Sequence, residues 1–497
     1  MAQRRISLLD SCIPEFAELF SISDLHLGGK TGFQIFASGK ELERLVKELT
    51  ARKANGLIAF VINGDFVDFL AEDGSSHFDP QGAIAKLDRI MADPAFEGAW
   101  NALRGFVATP GRRLIITLGN HDVELALPWV RAHLLERLAG GDGTTPGDDA
   151  ARGRIHLAFD GAGFLCRVGN ARVLCIHGND GDDWNVIDHE TVRRQGRDIL
   201  HGRPTEDWVP NAGTKLVIDV MNDVKKKYPF VDLLKPEKQA VLHTLAALDP
   251  ALVGKLDGVA AAYVRMKRDQ VRRAMGFLST EERPAAQEPP RHRPVSPVDS
   301  AALAESMLDE AEARLRSDIA PIDLVADDEL NGQLGVSGAI YNLIRRRPTS
   351  EVLREVLENL KKDLSFDLRG PDETFDYLDK EVGDTVDIII AGHTHLQRSI
   401  PRKFTSGWYF NSGSWARLIQ LTKDILDDAG LFARAFGAFE AGSMDELEKI
   451  EGFVLRLPTV VWIGVENGRA VGELRLVSGD GTKDVFSRVN DSRYPKD

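Results

Sequence analysis

Short apolar runs that end in polar, glycine-bearing turns recur along the first part of the chain: LFSIS before Asp24, LIAFVIN before Gly64, RLIITLG before Asn120 and RVLCIH before Gly178. Each has the length of a buried strand, and its C-terminal end delivers polar residues to one rim of a sheet. Helical patterns separate several of them. Leu42, Leu45, Val46 and Leu49 fall at helical spacing within Gly39 to Lys53, and Ile84 to Met91 continues such a pattern. Strands alternating with helices predict an α/β layered core.

Between Ala139 and Gly153 the segment GGDGTTPGDDAARG is polar and glycine-rich, which predicts a surface loop. From His189 to Thr374 the strand signal fades. Helical patterns take over at Lys235 to Leu248, Val259 to Leu278, Ser300 to Ile319 and Ser350 to Leu364, so 189–374 reads as a large helical insertion. Within it, Pro284 to Pro297 holds five prolines in fourteen residues and cannot continue a helix, so 284–297 reads as a linker between two helical halves. Strand character returns at Val386 to Ala391 and Gly407 to Phe410, where the chain is expected to re-enter the first sheet. The organisation is then a discontinuous core, 1–188 and 375–497, around a helical cap. Near the end, VVWIGVENGRAVGELRLV reads as a hairpin turning at Glu466-Asn467-Gly468, preceded by a helical pattern at Ser443 to Ile450.

Composition narrows the class. The 497 residues are 43% hydrophobic and 28% charged, as in folded globular proteins, and the length suits about three domains. The net charge of −14 argues against a general nucleic-acid or anionic-membrane coat. Cys12, Cys166 and Cys175 are too few and too scattered for a disulfide framework or a thiolate zinc site. Asp10 and Glu15 interrupt the N-terminal stretch, so no secretory signal is read, and no charge-free apolar run reaches membrane-spanning length. A cytoplasmic location is expected.

The chemistry sits at the strand ends. Five clusters follow apolar runs: Asp24-Leu25-His26, Gly64-Asp65-Phe66-Val67-Asp68, Gly119-Asn120-His121-Asp122, His177-Gly178 and Gly392-His393-Thr394-His395. Imidazole with carboxylate and amide oxygen, and no thiolate, suits Mn²⁺, Zn²⁺ or Fe better than Ca²⁺ or a structural zinc. Asp24 and His26 lie two apart, as do His393 and His395, so each pair presents both side chains to one side if the backbone stays extended. A single such pair is more often structural, since His and Asp commonly cap turns. Five in order, each after a strand, point to one site.

This order of motifs resembles the calcineurin-like metallophosphoesterase family, over residues 17–188 and 375–415. The resemblance implies a four-layer α-β-β-α sandwich with a two-metal site at the strand ends. It implies that Asp24, His26 and His395 hold one divalent ion, that Asn120, His177 and His393 hold the other, and that Asp65 bridges both, with manganese favoured over zinc or iron. Two cations held this way lower the pKa of water and clamp phosphoryl oxygens, so attack by hydroxide on a phosphate ester or pyrophosphate is the implied reaction. By the same resemblance His121 stays off the metals, free to protonate the leaving oxygen or to stabilise the transition state. Asp122 would orient His121, and Asp68 would orient a ligand histidine.

Where many relatives have a histidine or aspartate after the HG pair, this chain has Asn179. Asp180, Asp182 and Asp183 read first as a solvated turn and second as the pocket mouth. Asn411 and Trp415 lie on a later strand and turn, where packing competes with an approach to substrate. SDLHLG and the turn after GHTH are similar to UDP-2,3-diacylglucosamine diphosphatases, although those enzymes are shorter and commonly carry arginine at the place of His121. The basic run Arg265 to Arg273, like Arg345-Arg346-Arg347, reads as a solvated helix face or as an attractor for an anionic headgroup. A phosphorylated small molecule or lipid-linked substrate is the expected partner, with nucleic acid unlikely. The competing functions are a DNA-processing nuclease on the same core, which needs a basic groove, and a non-catalytic scaffold, which would have lost ligands.

Overall fold

The computed structural model describes residues 12–30, 34–74, 76–141, 145–235, 237–249, 349–358, 365–479 and 484–495. These fall into two compact units, one within 1–235, 362–422 and 441–497, the other within 236–361 and 423–440. The patterns at Val259 to Leu278 and Ser300 to Ile319, the linker 284–297, the basic run 265–273 and the arginines 345–347 lie outside the described residues. Among the described residues no helix is long and apolar enough to cross a membrane.

Two large sheets make the first unit. One has the order β16 (Phe486–Arg488), β15 (Arg469–Val477), β14 (Thr459–Glu466), β2 (Glu18–Ile22), β3 (Ile58–Asn63), β4 (Arg112–Thr117) and β5 (Ile155–Ala158). The other has the order β1 (Glu15–Phe16), β6 (Phe164–Val168), β7 (Ala171–Cys175), β9 (Ile388–Ala391), β11 (Trp408–Ser412) and β10 (Gln397–Pro401). A small third sheet joins β13 (Val454–Arg456), β12 (Arg417–Gln420) and β8 (Leu234–Lys235).

The apolar runs are unbroken because both faces of these strands are buried. In β3, Ile58, Phe60 and Ile62 share a core with Leu42, Leu45 and Leu49 of helix Gly39–Ala51 and Trp100, Leu103 and Phe106 of helix Glu97–Ala108. The alternate residues Ala59 and Val61 face the second sheet, where they meet a core containing Val173, Cys175, Ile388, Ile390 and Phe410. Beyond that sheet, Phe375 and Leu378 of helix Glu373–Glu381 cluster with Ile389, Ala391 and Tyr409. Helix, sheet, sheet, helix is the expected four-layer α-β-β-α sandwich. Each large aliphatic or Phe side chain buried this way contributes about 1.5–3 kcal/mol, so the layers hold the strand ends in fixed positions.

Parallel pairing sets the rim. β2, β3, β4 and β5 run parallel, and so do β7, β9 and β11. Strands β9 and β11 do not extend the sheet of β2 to β4, as the returning pattern suggested. They pair beside β7, and it is the hairpin β14–β15 that pairs onto β2. That hairpin turns at Asn467 (φ 51°) and Gly468 (φ 76°), the left-handed pair a tight primed turn needs. Part of the stretch expected to be a loop is helical instead: Pro146–Arg152 is a helix, with Thr145 accepting from Asp148 N and proline in the first turn. A cap and a pre-set φ outweighed the glycine content.

The second unit contains helices Glu237–Leu248, Thr349–Val356, Lys423–Asp427 and Ala429–Glu440. Leu245, Val352, Leu353, Phe432, Phe436 and Phe439 are buried in it.

Candidate metal centre

The strand ends turn abruptly. Asp24 (φ 54°), His26 (49°), Asp65 (49°), His393 (70°) and His395 (63°) all lie in the left-handed region, five of the seven non-glycine residues that do so among those described. The DxH and HxH pairs are therefore not extended, and alternation is not what brings their side chains to one rim. Left-handed backbone costs a non-glycine residue roughly 1–2 kcal/mol and clusters at functional sites. Neighbouring glycines make room: a Cβ on Gly64 would lie 2.4 Å from the His177 ring, and one on Gly119 would lie 2.2 Å from Asp65 Oδ1.

Three groups of donors converge, each with its ligand atoms within 4.8 Å of one another: Asp24, His26 and His395; His26, Asp65 and His121; Asp24, Asp65 and His177. His26 Nε2 is 3.1 Å from His395 Nε2 and 3.6 Å from Asp65 Oδ2, and His395 Nε2 is 3.4 Å from Asp24 Oδ1. Asp65 Oδ2 also lies 3.2 Å from His177 Nε2, while its other oxygen accepts from His121 N at 2.8 Å. Asp65 thus stands between the two histidines expected to serve different metals. His393 lies outside these groups. Its ring is 5.5 Å from that of His177, its N–H donates to Asp24, and its Nε2 is 3.3 Å from Asp182 Oδ2.

The donors fit a cation. His177 Nδ1 is 2.9 Å from the Asn63 carbonyl and donates to it, which leaves Nε2 to face Asp65 without an aligned hydrogen bond. Asn120 Oδ1 is likewise buried without a hydrogen-bond partner. Buried acceptors left open in this way are costly unless a positive charge fills the gap. Electrostatics agree. Burial opposes a charge on His177, yet Asp65 and Asp24 raise it to about 10, so the site draws a proton where a cation would sit. His395 goes the other way: burial, Lys235 and His26 hold it well below its usual value, which keeps it the neutral imidazole that binds metals.

One orienting role differs from expectation. Asp122 does not reach the His121 ring. Its carboxylate is fully buried and accepts from Gly119 N at 2.7 Å and Phe66 N at 2.8 Å, so it ties the β3 and β4 turns together. The carboxylate beside His121 is Asp68, with Oδ1 3.2 Å from Nδ1, and Oδ2 of the same residue lies 3.4 Å from His26 Nδ1. Burial lowers the His121 pKa, but Asp68 and Asp65 outweigh it and raise it to about 9. Asp122 is raised to about 7 by burial and by Asp65 against those two backbone bonds.

Trp415 is core, fully buried with Nε1 donating to Thr459 O. Asn411 is bound from both ends of its amide, to Gly392 O and Thr394 Oγ1 and from Gly413 N, and so braces the GHTH turn. Sequence reasoning did not single out Asn63, Asn185 or Lys235. Only Asn63 had a signal, as the last residue of the run before Gly64.

A four-layer sandwich whose strand ends carry thiolate-free groups of imidazole and carboxylate is the architecture of a metallophosphoesterase. Residues 19–233 match the family model described as calcineurin-like phosphoesterase. Asp24, His26, Asp65, Asn120 and His177 lie inside the matched residues, and β9 brings in His393 and His395 from beyond them. No curated protein was found that matches the chain.

Proposed function

We propose that the protein is a dinuclear-metal-dependent phosphoesterase acting on a phosphate ester or pyrophosphate. Asp24, His26 and His395 would hold one ion, Asn120, His177 and His393 the other, and Asp65 both. Bound there, two divalent ions supply Lewis-acid polarisation of phosphoryl oxygens and a water of lowered pKa. The observation that carries this reading is Asp65 Oδ2 placed 3.2 Å from His177 Nε2 and 3.6 Å from His26 Nε2, between the converging groups of imidazole and carboxylate, with His177 Nε2 and Asn120 Oδ1 left without a hydrogen-bond partner.

The chain's own residues do the rest. His121 is held by Asp68 at Nδ1, which leaves Nε2 to donate a proton to the leaving oxygen. Asp122 fixes the turns that carry Asp65 and Asn120. A small cleft lined by Phe366, Leu396, Leu418 and Leu457 together with Gln397, Gly413 and Ser414 adjoins His395. The test is a hydrolysis panel on Mn²⁺-loaded protein comparing an aryl monoester, an aryl diester, a nucleotide and a nucleoside-diphosphate lipid. Turnover of none of them, with two ions bound, would remove the catalytic reading.

A further inference from the structure

The loop after the HG motif carries two polar side chains, Asn185 and Asp182, that belong to neither the metal set nor the proton donor and that link two members of that set. Asn120 Nδ2 donates to Asn185 Oδ1 at 3.4 Å, Asn185 Nδ2 donates to Asp182 Oδ2 at 2.8 Å, and His393 Nε2 lies 3.3 Å from that same oxygen. Asp182 Oδ1 accepts from Trp184 N at 3.0 Å, and Asn185 N donates to the Asp182 carbonyl at 2.8 Å, so the carboxylate is held by its own loop. The polarity of the chain is fixed by its middle member. A carboxylate only accepts, so His393 must carry its proton on Nε2 and Asn185 must present its NH₂ to Asp182. Asn185 then presents its oxygen to Asn120, which must offer its NH₂ and turn Oδ1 away. That Oδ1 is the buried atom with no hydrogen-bond partner.

We propose that Asp182 is a positioning residue for the second metal: through His393 directly, and through Asn185 to Asn120, it aims His393 Nδ1 and Asn120 Oδ1 at one ion. This rests on the two-metal reading above. It adds that two ligands from different sheets, one after β4 and one after β9, are oriented by a single carboxylate on the loop 179–185. Carboxylates behind ligand histidines commonly change metal affinity by 10–100-fold when removed.

The test is Mn²⁺ titration of full-length protein by calorimetry and electron paramagnetic resonance, comparing wild type with Asp182→Ala and Asp182→Asn. Wild type should bind two ions with a spin-coupled signal. Asp182→Ala should keep the first affinity and weaken the second by about 10–100-fold, giving the uncoupled six-line signal of one ion at one equivalent. Asp182→Asn keeps an acceptor oxygen and should fall between the two, a graded rescue that a merely structural lesion would not give. Should Asp182→Ala fail to fold, the comparison of wild type with Asp182→Asn carries the test. Two ions in wild type with unchanged second affinity in the folded variants would overturn the role of Asp182 alone. Fewer than two ions in wild type would overturn the two-metal reading and this proposal with it.

Discussion

Asp65 and His121 are 2.8 Å apart through a backbone hydrogen bond, yet they should respond to mutation in opposite ways. Asp65→Asn removes the charge that faces both His26 and His177, and elemental analysis should find well below one metal equivalent per chain, with turnover lost. His121→Gln leaves those contacts in place, so metal should stay bound while kcat falls by about 10²–10⁴, the usual effect of losing a proton donor. Equal metal loss in the two variants would contradict the division of roles. The residues that converge here, Asp24, His26, Asp65, His177 and His395, could be picked out in the sequence because each follows an apolar run. The orienting carboxylates were legible only in part. Asp68 was expected beside a ligand histidine and does face His26, but only the turn geometry shows that Asp122, next to His121 in sequence, is used up by Gly119 N and Phe66 N while Asp68 also faces the His121 ring.

Strand-to-turn junctions explain what the elements contribute and how much of them the sequence reveals. Buried strands announce themselves as short apolar runs, and the helix Gly39–Ala51 by its spacing, because both patterns follow directly from what is buried. Left-handed turns at Asp24, His26, Asp65, His393 and His395 leave no such mark, since backbone strain at a non-glycine residue is tolerated only where the surrounding packing imposes it. The glycines beside them do leave a mark. Gly64 has φ 81°, and a Cβ there would meet the His177 ring at 2.4 Å. Gly64→Ala should therefore cost roughly 1–2 kcal/mol for the backbone alone, with further loss from displacing His177. Chemical denaturation should show the lower midpoint, and metal titration a weaker affinity. A variant with wild-type stability and metal content would mean that the turn relaxes without moving the ligand.

At the scale of the whole molecule, the pattern showed a core interrupted in sequence, but not which stretches fold together. Residues 423–440 join 236–361 in one compact unit, and a helix's apolar face does not name its partner. Global stability should carry a pH signature from one buried group near the site. Glu124, in the turn Val123–Ala126, is almost fully buried and accepts from Asp79 N at 3.0 Å, while Lys86 Nζ sits 3.0 Å from Asp79 Oδ2. Burial raises its pKa from 4.5 to about 7, against the hydrogen bonds and Lys86 that lower it. The native state then keeps a proton that the unfolded chain releases above pH 4.5, so this group's contribution is complete below that pH. It is lost as pH rises through about 7. Glu124→Gln keeps the acceptor oxygen and removes the titration. The stability difference between variant and parent should shift in the variant's favour by roughly 1–3 kcal/mol between pH 4.5 and 8, measured by urea unfolding at fixed metal concentration. Taking the difference cancels the titrations of His121 and Asp122, which both proteins share. A difference that stays flat across that window would show that Glu124 is ionised in the native state and that Lys86 compensates for its burial.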